Sequence, residues 1–385
     1  MRISKSQRGF TLLELLVASS IGVTVILVMA SLFKTGMDTS MKVTQRAETQ
    51  ENLRAAVELM TKDISLAGAG LPSGGLQLGT AGLSKFACNQ SGTCYITGGT
   101  YPSNGASPNY MYAIEPGFGV GVQNAAVITA APAATNSSIT VSYCDYNFPL
   151  EPGNFAFTFP SSTAASVAVN NPTVIPNNIL APGGLQVGDL LMFTVATPGN
   201  GKTSTGTSLV QNAAVVAEIT GIPSSTAITF TTGDALNFNF SSGSNNLASV
   251  VSAAAGVGAQ VSVCRLQVVS YFLEVPIAGG GLVETPRLMR QVNGLNAVPV
   301  ADNIINLQFT YDVINSVTGT VNSNIQDPIG AGDSPSLIQK VNLWIMGQSL
   351  SNNGNRAQSM YLATAVSTRN MSFCNSYSSS TTQCQ

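Results

Sequence analysis

Residues 15–33 carry no charge over 19 positions, and nothing else in the chain constrains its fold as strongly. A helix needs about 20 apolar residues to cross the hydrocarbon core of a bilayer. Ahead of this run lies a short basic segment with Arg2, Lys5 and Arg8. One acid, Glu14, stands where the apolar stretch opens, and an unpaired carboxylate there costs roughly 2.5–3.5 kcal/mol on insertion scales. Two ordinary readings leave residues over. A secretory signal has an apolar core of about 7–15 residues followed by a small-residue cleavage site. Ala30-Ser31 offers such a site, but the run is longer and Glu14 is left without a reason. A plain anchor accounts for the length, but not for the acid or the Gly9-Phe10 junction before it.

The string Arg8-Gly9-Phe10-Thr11-Leu12-Leu13-Glu14-Leu15 resembles the class III leader of type IV prepilins and type II secretion pseudopilins. The resemblance implies that a membrane peptidase acting from the cytoplasmic side cuts after Gly9 and methylates the new terminal amine of Phe10. It also implies that Glu14 pairs with the terminal amine of a neighbouring subunit during assembly. The physics agrees, since a buried carboxylate is tolerable once it meets a cation.

The composition narrows the function classes. Charged residues make up 9% of the 385 residues, against about 25% in a typical soluble domain. Ser, Thr, Asn and Gly fill the difference, as in an extracellular β-protein with many turns. Loss of a leader bearing Arg2, Lys5 and Arg8 lowers Lys+Arg from 16 to 13 against 18 Asp+Glu, a net of −5. Such a surface gives no support for nucleic-acid binding, which calls for a basic stripe. There is no histidine, which removes Ser-His-Asp and Cys-His catalysis and the usual histidine-bearing zinc sites. A structural protein without a cofactor is the expectation.

Six cysteines stand at Cys88, Cys94, Cys144, Cys264, Cys374 and Cys384. Outside the cytoplasm an even count reads as disulfides, with about 15 possible pairings for six. Cys88 with Cys94 and Cys374 with Cys384 would close small local loops and leave Cys144 and Cys264 to each other. No C-x-x-C pair supports a metal site.

From 34 to 67 the chain is rich in Glu, Gln, Arg, Lys, Met and Ala, all good helix formers. Leu53, Val57, Met60 and Ile64 share one helix face, and Glu48, Glu51, Arg54, Glu58 and Lys62 supply the solvated side. Gly68-Ala69-Gly70-Leu71-Pro72 then stops the helix. Residues 10–67 read as one helix of roughly 58 residues, or ~87 Å at 1.5 Å per residue. A coiled coil is the alternative for the stripe, but the β-rich remainder needs something to pack against. Residues 72–116 read as a long loop. Strands are expected at 125–130, 138–143, 190–196, 213–219, 227–231, 260–268, 269–275, 288–292, 304–312, 339–345 and 360–367, with loops at 161–180 and 241–249.

The helix end, Asp63-Ile64-Ser65-Leu66-Ala67-Gly68, and the runs around Tyr271, Arg287–Arg290 and 304–312 resemble minor pilins of the PilW kind. The J-type pseudopilin has a similar helix end. The likeness covers the first 70 residues strongly, 185–370 loosely and 72–184 not at all.

Other signals are weaker. Gly199-Asn200-Gly201-Lys202-Thr203 hints at a P-loop, but the required earlier glycine is Ala196, so a hairpin loop fits better. Asp145/Asn147/Glu151 and Asp327/Asp333 offer calcium-type oxygens without an EF-hand spacing, and such residues more often make turns. Gly279-Gly280-Gly281 reads as a connector and Trp344 as a core residue.

The expected architecture is α+β and pilin-like: a leader at 1–9, a membrane and filament-core helix at 10–33, its amphipathic continuation at 34–70, and an extracytoplasmic β-rich head at 71–385. The expected role is that of a minor pilin that helps initiate or cap a type IV pilus. Its partners would be the prepilin peptidase, other minor and major pilins, the inner-membrane assembly platform and a tip adhesin. It would wait in the inner membrane before joining a filament, at the tip. The alternatives are a type II secretion or competence pseudopilin and a membrane-anchored adhesin that never polymerises.

Overall fold

The computed structural model describes residues 9–72, 75–79, 84–88, 94–95, 110–124, 136–145, 166–168, 184–203, 206–224, 227–240, 246–248, 252, 260–275, 286–328, 332–349, 358–368 and 370–371. Helix α1 (Leu12–Leu66) runs unbroken for 55 residues, because no proline interrupts it. Its first buried residue is Thr49, followed by Leu53, Ala56, Met60, Asp63 and Ile64. The expected stripe therefore does pack, with Val57 only partly covered. Burial begins later than the amphipathic segment does, so residues 12–48 project from the head over about 55 Å at 1.5 Å per residue.

Two short strands, β1 (Leu76–Gln77) and β2 (Tyr110–Met111), pair with each other, and β3 (Ile114–Gly117), β4 (Val122–Asn124) and β5 (Ser138–Asp145) belong to the main sheet. The segment 72–116, read above as loop, thus contributes strands at both ends. Next come β6 (Ser166–Ala168), the long hairpin β7 (Leu190–Thr203) and β8 (Gly206–Glu218), then β9 (Gly221–Ser224) and β10 (Ala227–Thr229). β6 falls inside the expected loop at 161–180. The P-loop-like string lies at the far end of β7, in that hairpin. The strand expected at 125–130 and the glycines at 279–281 lie outside the described residues.

β11 (Gln260–Val275) is one strand of 16 residues where two were expected. No glycine or proline breaks it; what changes midway is its partner. Residues 260–266 pair with β7 and residues 269–274 with β12 (Arg287–Val292), while β5 flanks the middle of its other edge. β13 (Val298–Ala301) extends the sheet beyond β12. Beside β5, the end of β11 meets β4 in parallel.

A second sheet has the order β15-β14-β16-β17, from β14 (Ile304–Ile314), β15 (Val321–Ile325), β16 (Ile338–Gln348) and β17 (Ser359–Ser367), all antiparallel. The end of α1 lies over this second sheet and reaches β5 and β13. Leu53, Met60 and Ile64 share one core with Ile139, Val141 and Tyr271 of the main sheet and with Phe309, Tyr311, Leu343 and Ile345 of the second. Burying each large aliphatic side chain contributes about 1.5–3 kcal/mol. The fold is α+β: a long amino-terminal apolar helix on antiparallel sheets.

Trp344 corrects the sequence expectation. Along β16, Val341, Leu343 and Ile345 are buried, while Asn342, Trp344 and Met346 alternate with them on the other face. A strand turns successive side chains to opposite faces, so the indole sits half-buried on the outside of the sheet rather than in the core.

Candidate assembly site

Thr11 is the N-cap of α1, with extended backbone at φ −79° and ψ 150°. Its hydroxyl accepts from the Glu14 N–H at 3.3 Å. The Glu14 carboxylate Oε2 in turn accepts from the Thr11 N–H and from the Thr11 hydroxyl, each at 3.0 Å. This is a reciprocal capping box, and it answers the question posed by an acid at the edge of an apolar run. Within one subunit the carboxylate satisfies donors that a helix start leaves without partners. The acidic oxygen also lies at the positive end of the helix dipole. Gly9 and Phe10 lie just outside the helix, and the Phe10 ring is 86% exposed.

The apolar stretch behind this cap is not packed by any other part of the subunit among the described residues. Leu13, Leu16, Ile21, Ile26, Met29 and Phe33 are all exposed. Its hydroxyls, however, are satisfied internally. Ser19 donates to the Leu16 carbonyl, Ser20 to that of Val17, Thr24 to that of Ser20 and Ser31 to that of Val28, at 2.8–3.0 Å. A segment in hydrocarbon must meet its polar groups from within, and this one does. The helix is long and apolar enough to cross a membrane.

At its other end α1 is tied to the head by a buried acid, Asp63, that the sequence reading named only as part of the helix end. Asp63, 2% exposed, accepts from the Tyr143 hydroxyl at 3.0 Å, from the Tyr271 hydroxyl at 2.6 Å and from Arg290 Nε at 2.9 Å. Arg290 Nε also donates to the Tyr271 hydroxyl at 3.1 Å. Burial, reinforced by the Asp63 carboxylate, pushes both tyrosine hydroxyls well above their ordinary range. The available signal was an acid set directly beside Ile64 on the apolar stripe. Past the helix, the Gly68 N–H donates to the Ser142 carbonyl and the Cys144 N–H to the Ala69 carbonyl, at 2.9 and 2.8 Å.

Cys88 is bonded to Cys94 and Cys144 to Cys264. The second bridge joins β5 to β11, next to the point where α1 enters the sheet. Cys374 and Cys384 lie outside the described residues. Of the calcium candidates, Asp145 pairs with Arg265 at 2.6 Å, and Asp333 accepts from the Asn315 and Asn322 amides at 3.0 Å. Asn147 and Glu151 lie outside the described residues. No cluster of three His, Cys, Asp or Glu able to hold a metal occurs among the described residues.

The family model of the prokaryotic N-terminal methylation motif matches residues 4–30. No curated protein and no solved structure matches the chain. The matched segment contains Gly9, Phe10, Thr11 and Glu14 and most of the uncharged run. The motif supports a type IV pilin-like prepilin anchored by this helix, a structural subunit that interacts with other pilins and with the prepilin peptidase.

Proposed function

We propose that this chain is a minor pilin of the PilW kind, a low-copy subunit that helps initiate, prime or cap a type IV pilus. The observation that carries the reading is the methylation motif on a capped helix whose apolar half stands exposed among the described residues. Such a surface suits lipid first and the core of a helical filament afterwards. In this reading the peptidase cuts between Gly9 and Phe10 and the new amine of Phe10 is methylated. The helix then waits in the inner membrane with the head outside, and the assembly platform passes the subunit to the pilus tip.

The capping box gives Glu14 two successive partners. Before assembly its carboxylate is held by Thr11. During docking the methylated amine of another subunit, a cation, competes for the same oxygen, and an ion pair between two full charges in low dielectric is the stronger of the two. Glu14→Gln keeps the cap, since glutamine serves at this helix position as well as glutamate, and removes only the charge. The variant should be cleaved and membrane-bound, yet poorly recovered in sheared pili and in co-purification with other pilins. Normal recovery in both assays would remove Glu14 from assembly. Mass spectrometry of the mature amino terminus tests the processing separately: a start near residue 32 would mean an ordinary signal peptide.

A further inference from the structure

The outer face of the β15-β14-β16-β17 sheet carries a shallow groove of about 430 Å³, within the ~300–1,000 Å³ typical of small-molecule sites. α1 crosses the opposite face, where Thr49 and Leu53 lie against Gly347, so the groove plays no part in holding the helix. Three properties define it. Its aromatic element is Trp344, stacked on Tyr361 with centroids 6.3 Å apart and planes 28° apart. Tyr361, 69% exposed, leaves this aromatic pair open to solvent. Its floor is low, because Ala363 and Ala365 are the β17 neighbours of Trp344 and Asn342.

Its polar element is a row of neutral groups: Gln308, Thr310, Asn324 and Asn342. Asn342 Nδ2 donates to Asp312 Oδ1 at 3.1 Å and to Asn324 Oδ1 at 3.3 Å. Thr310 donates to the same Asn324 oxygen at 3.3 Å. These bonds engage the Asn342 N–H groups, and Asn342 and Gln308 both line the groove. The row is electrically neutral. Among the described residues, the charges beside it, Asp312 and Lys340, are paired with each other.

From this combination we infer that the groove binds a neutral hexopyranose of a surface glycan. A sugar ring has an apolar C–H face that lies flat on an aromatic ring and a rim of hydroxyls that both donate and accept. Fixed amides match such a rim in both senses. Among the described residues, the cation near the row, Lys340, is already paired with Asp312, which disfavours an anionic ligand.

Trp344 is the only tryptophan of the chain, so its emission reports on the groove directly. The full chain is held in a zwitterionic detergent, because a maltoside detergent would itself present sugar rings. It is titrated with methyl β-D-galactopyranoside and with methyl β-D-glucopyranoside, and in parallel applied to an array of neutral glycans. The expected result is a saturable shift of Trp344 emission with at least one glycoside, or a specific array signal, with Kd on the order of millimolar for a single sugar. Tyr361→Ala, which removes the ring stacked on Trp344, and Gln308→Ala, which removes a lining amide on the same outer face, should each weaken binding about tenfold while melting as the parent does. Absence of any saturable shift together with a blank array overturns the proposal, as does binding that both variants leave unchanged. An emission shift that follows protein concentration and not sugar would assign the face to contact between copies, and also overturns it.

Discussion

Asp63 shows how much rests on a single side chain. Replacing it with alanine strands Arg290 and two tyrosine hydroxyls. Breaking a buried pair in this way typically costs about 3–5 kcal/mol, reduced here to about 2–4 because the Arg290 side chain remains 23% exposed. Asp63→Asn should lose less, since one amide oxygen still accepts. Urea midpoints followed by Trp344 emission compare the two. Glu115 makes a different case. It is buried on β3 with the Tyr112 N–H as donor at 2.7 Å, and burial holds its carboxyl well above the ordinary 4.5. A folded value raised above the unfolded one gives a contribution that is full below the unfolded value and is lost as pH rises toward the folded one. Glu115→Gln removes that titration and keeps an acceptor for the Tyr112 N–H. The variant should therefore gain on the parent as pH is raised from about 4.5 toward neutral, read as a widening gap in urea midpoint. A constant gap would show that Glu115 does not titrate in this range.

Elements were legible to the degree that their signals are local. α1 could be read almost to the residue because apolar spacing, helix formers and a glycine stop all lie within a few turns of one another. β16 could have been read better, since Trp344 is in phase with Lys340 and Asn342 and not with Val341 and Leu343. The single strand β11 was hidden, because its continuity depends on partners at 190–196 and 287–292 that no local window contains. The Asp63 cluster was hidden for the same reason: its partners lie 80, 208 and 227 residues away. Termination of α1 gives an element-scale prediction. Gly68 has φ +82°, and a Cβ there would come within 2.9 Å of Met371 Cγ and 3.3 Å of Ala113 Cβ. The left-handed backbone alone costs a non-glycine residue about 1–2 kcal/mol. Gly68→Ala should therefore lower the urea midpoint of the head clearly, while Gly36→Ala, with nothing within 4 Å, should not.

In the whole molecule, one described disulfide closes a local loop and the other lies within the main sheet, which meets the second sheet through a shared core. The remaining pair, Cys374 and Cys384, is expected to close the carboxy-terminal tail. The intervening residues are almost all Ser, Thr and Asn, with too little apolar surface to fix themselves. Non-reducing peptide mapping of exported protein should find the two joined, and both as free thiols would refute it. The Cys144–Cys264 bridge has a mechanical meaning. A filament under tension pulls each subunit by its helix. In this fold the pull leaves α1 through Asp63, bonded to Tyr143 on β5, Tyr271 on β11 and Arg290 on β12, and through the backbone bonds of Gly68 and Ala69 into β5, which the bridge staples to β11. Force thus enters the head at a covalently stapled point of the main sheet, while the far end of the β7–β8 hairpin, beyond its pairing with β11, lies off that path.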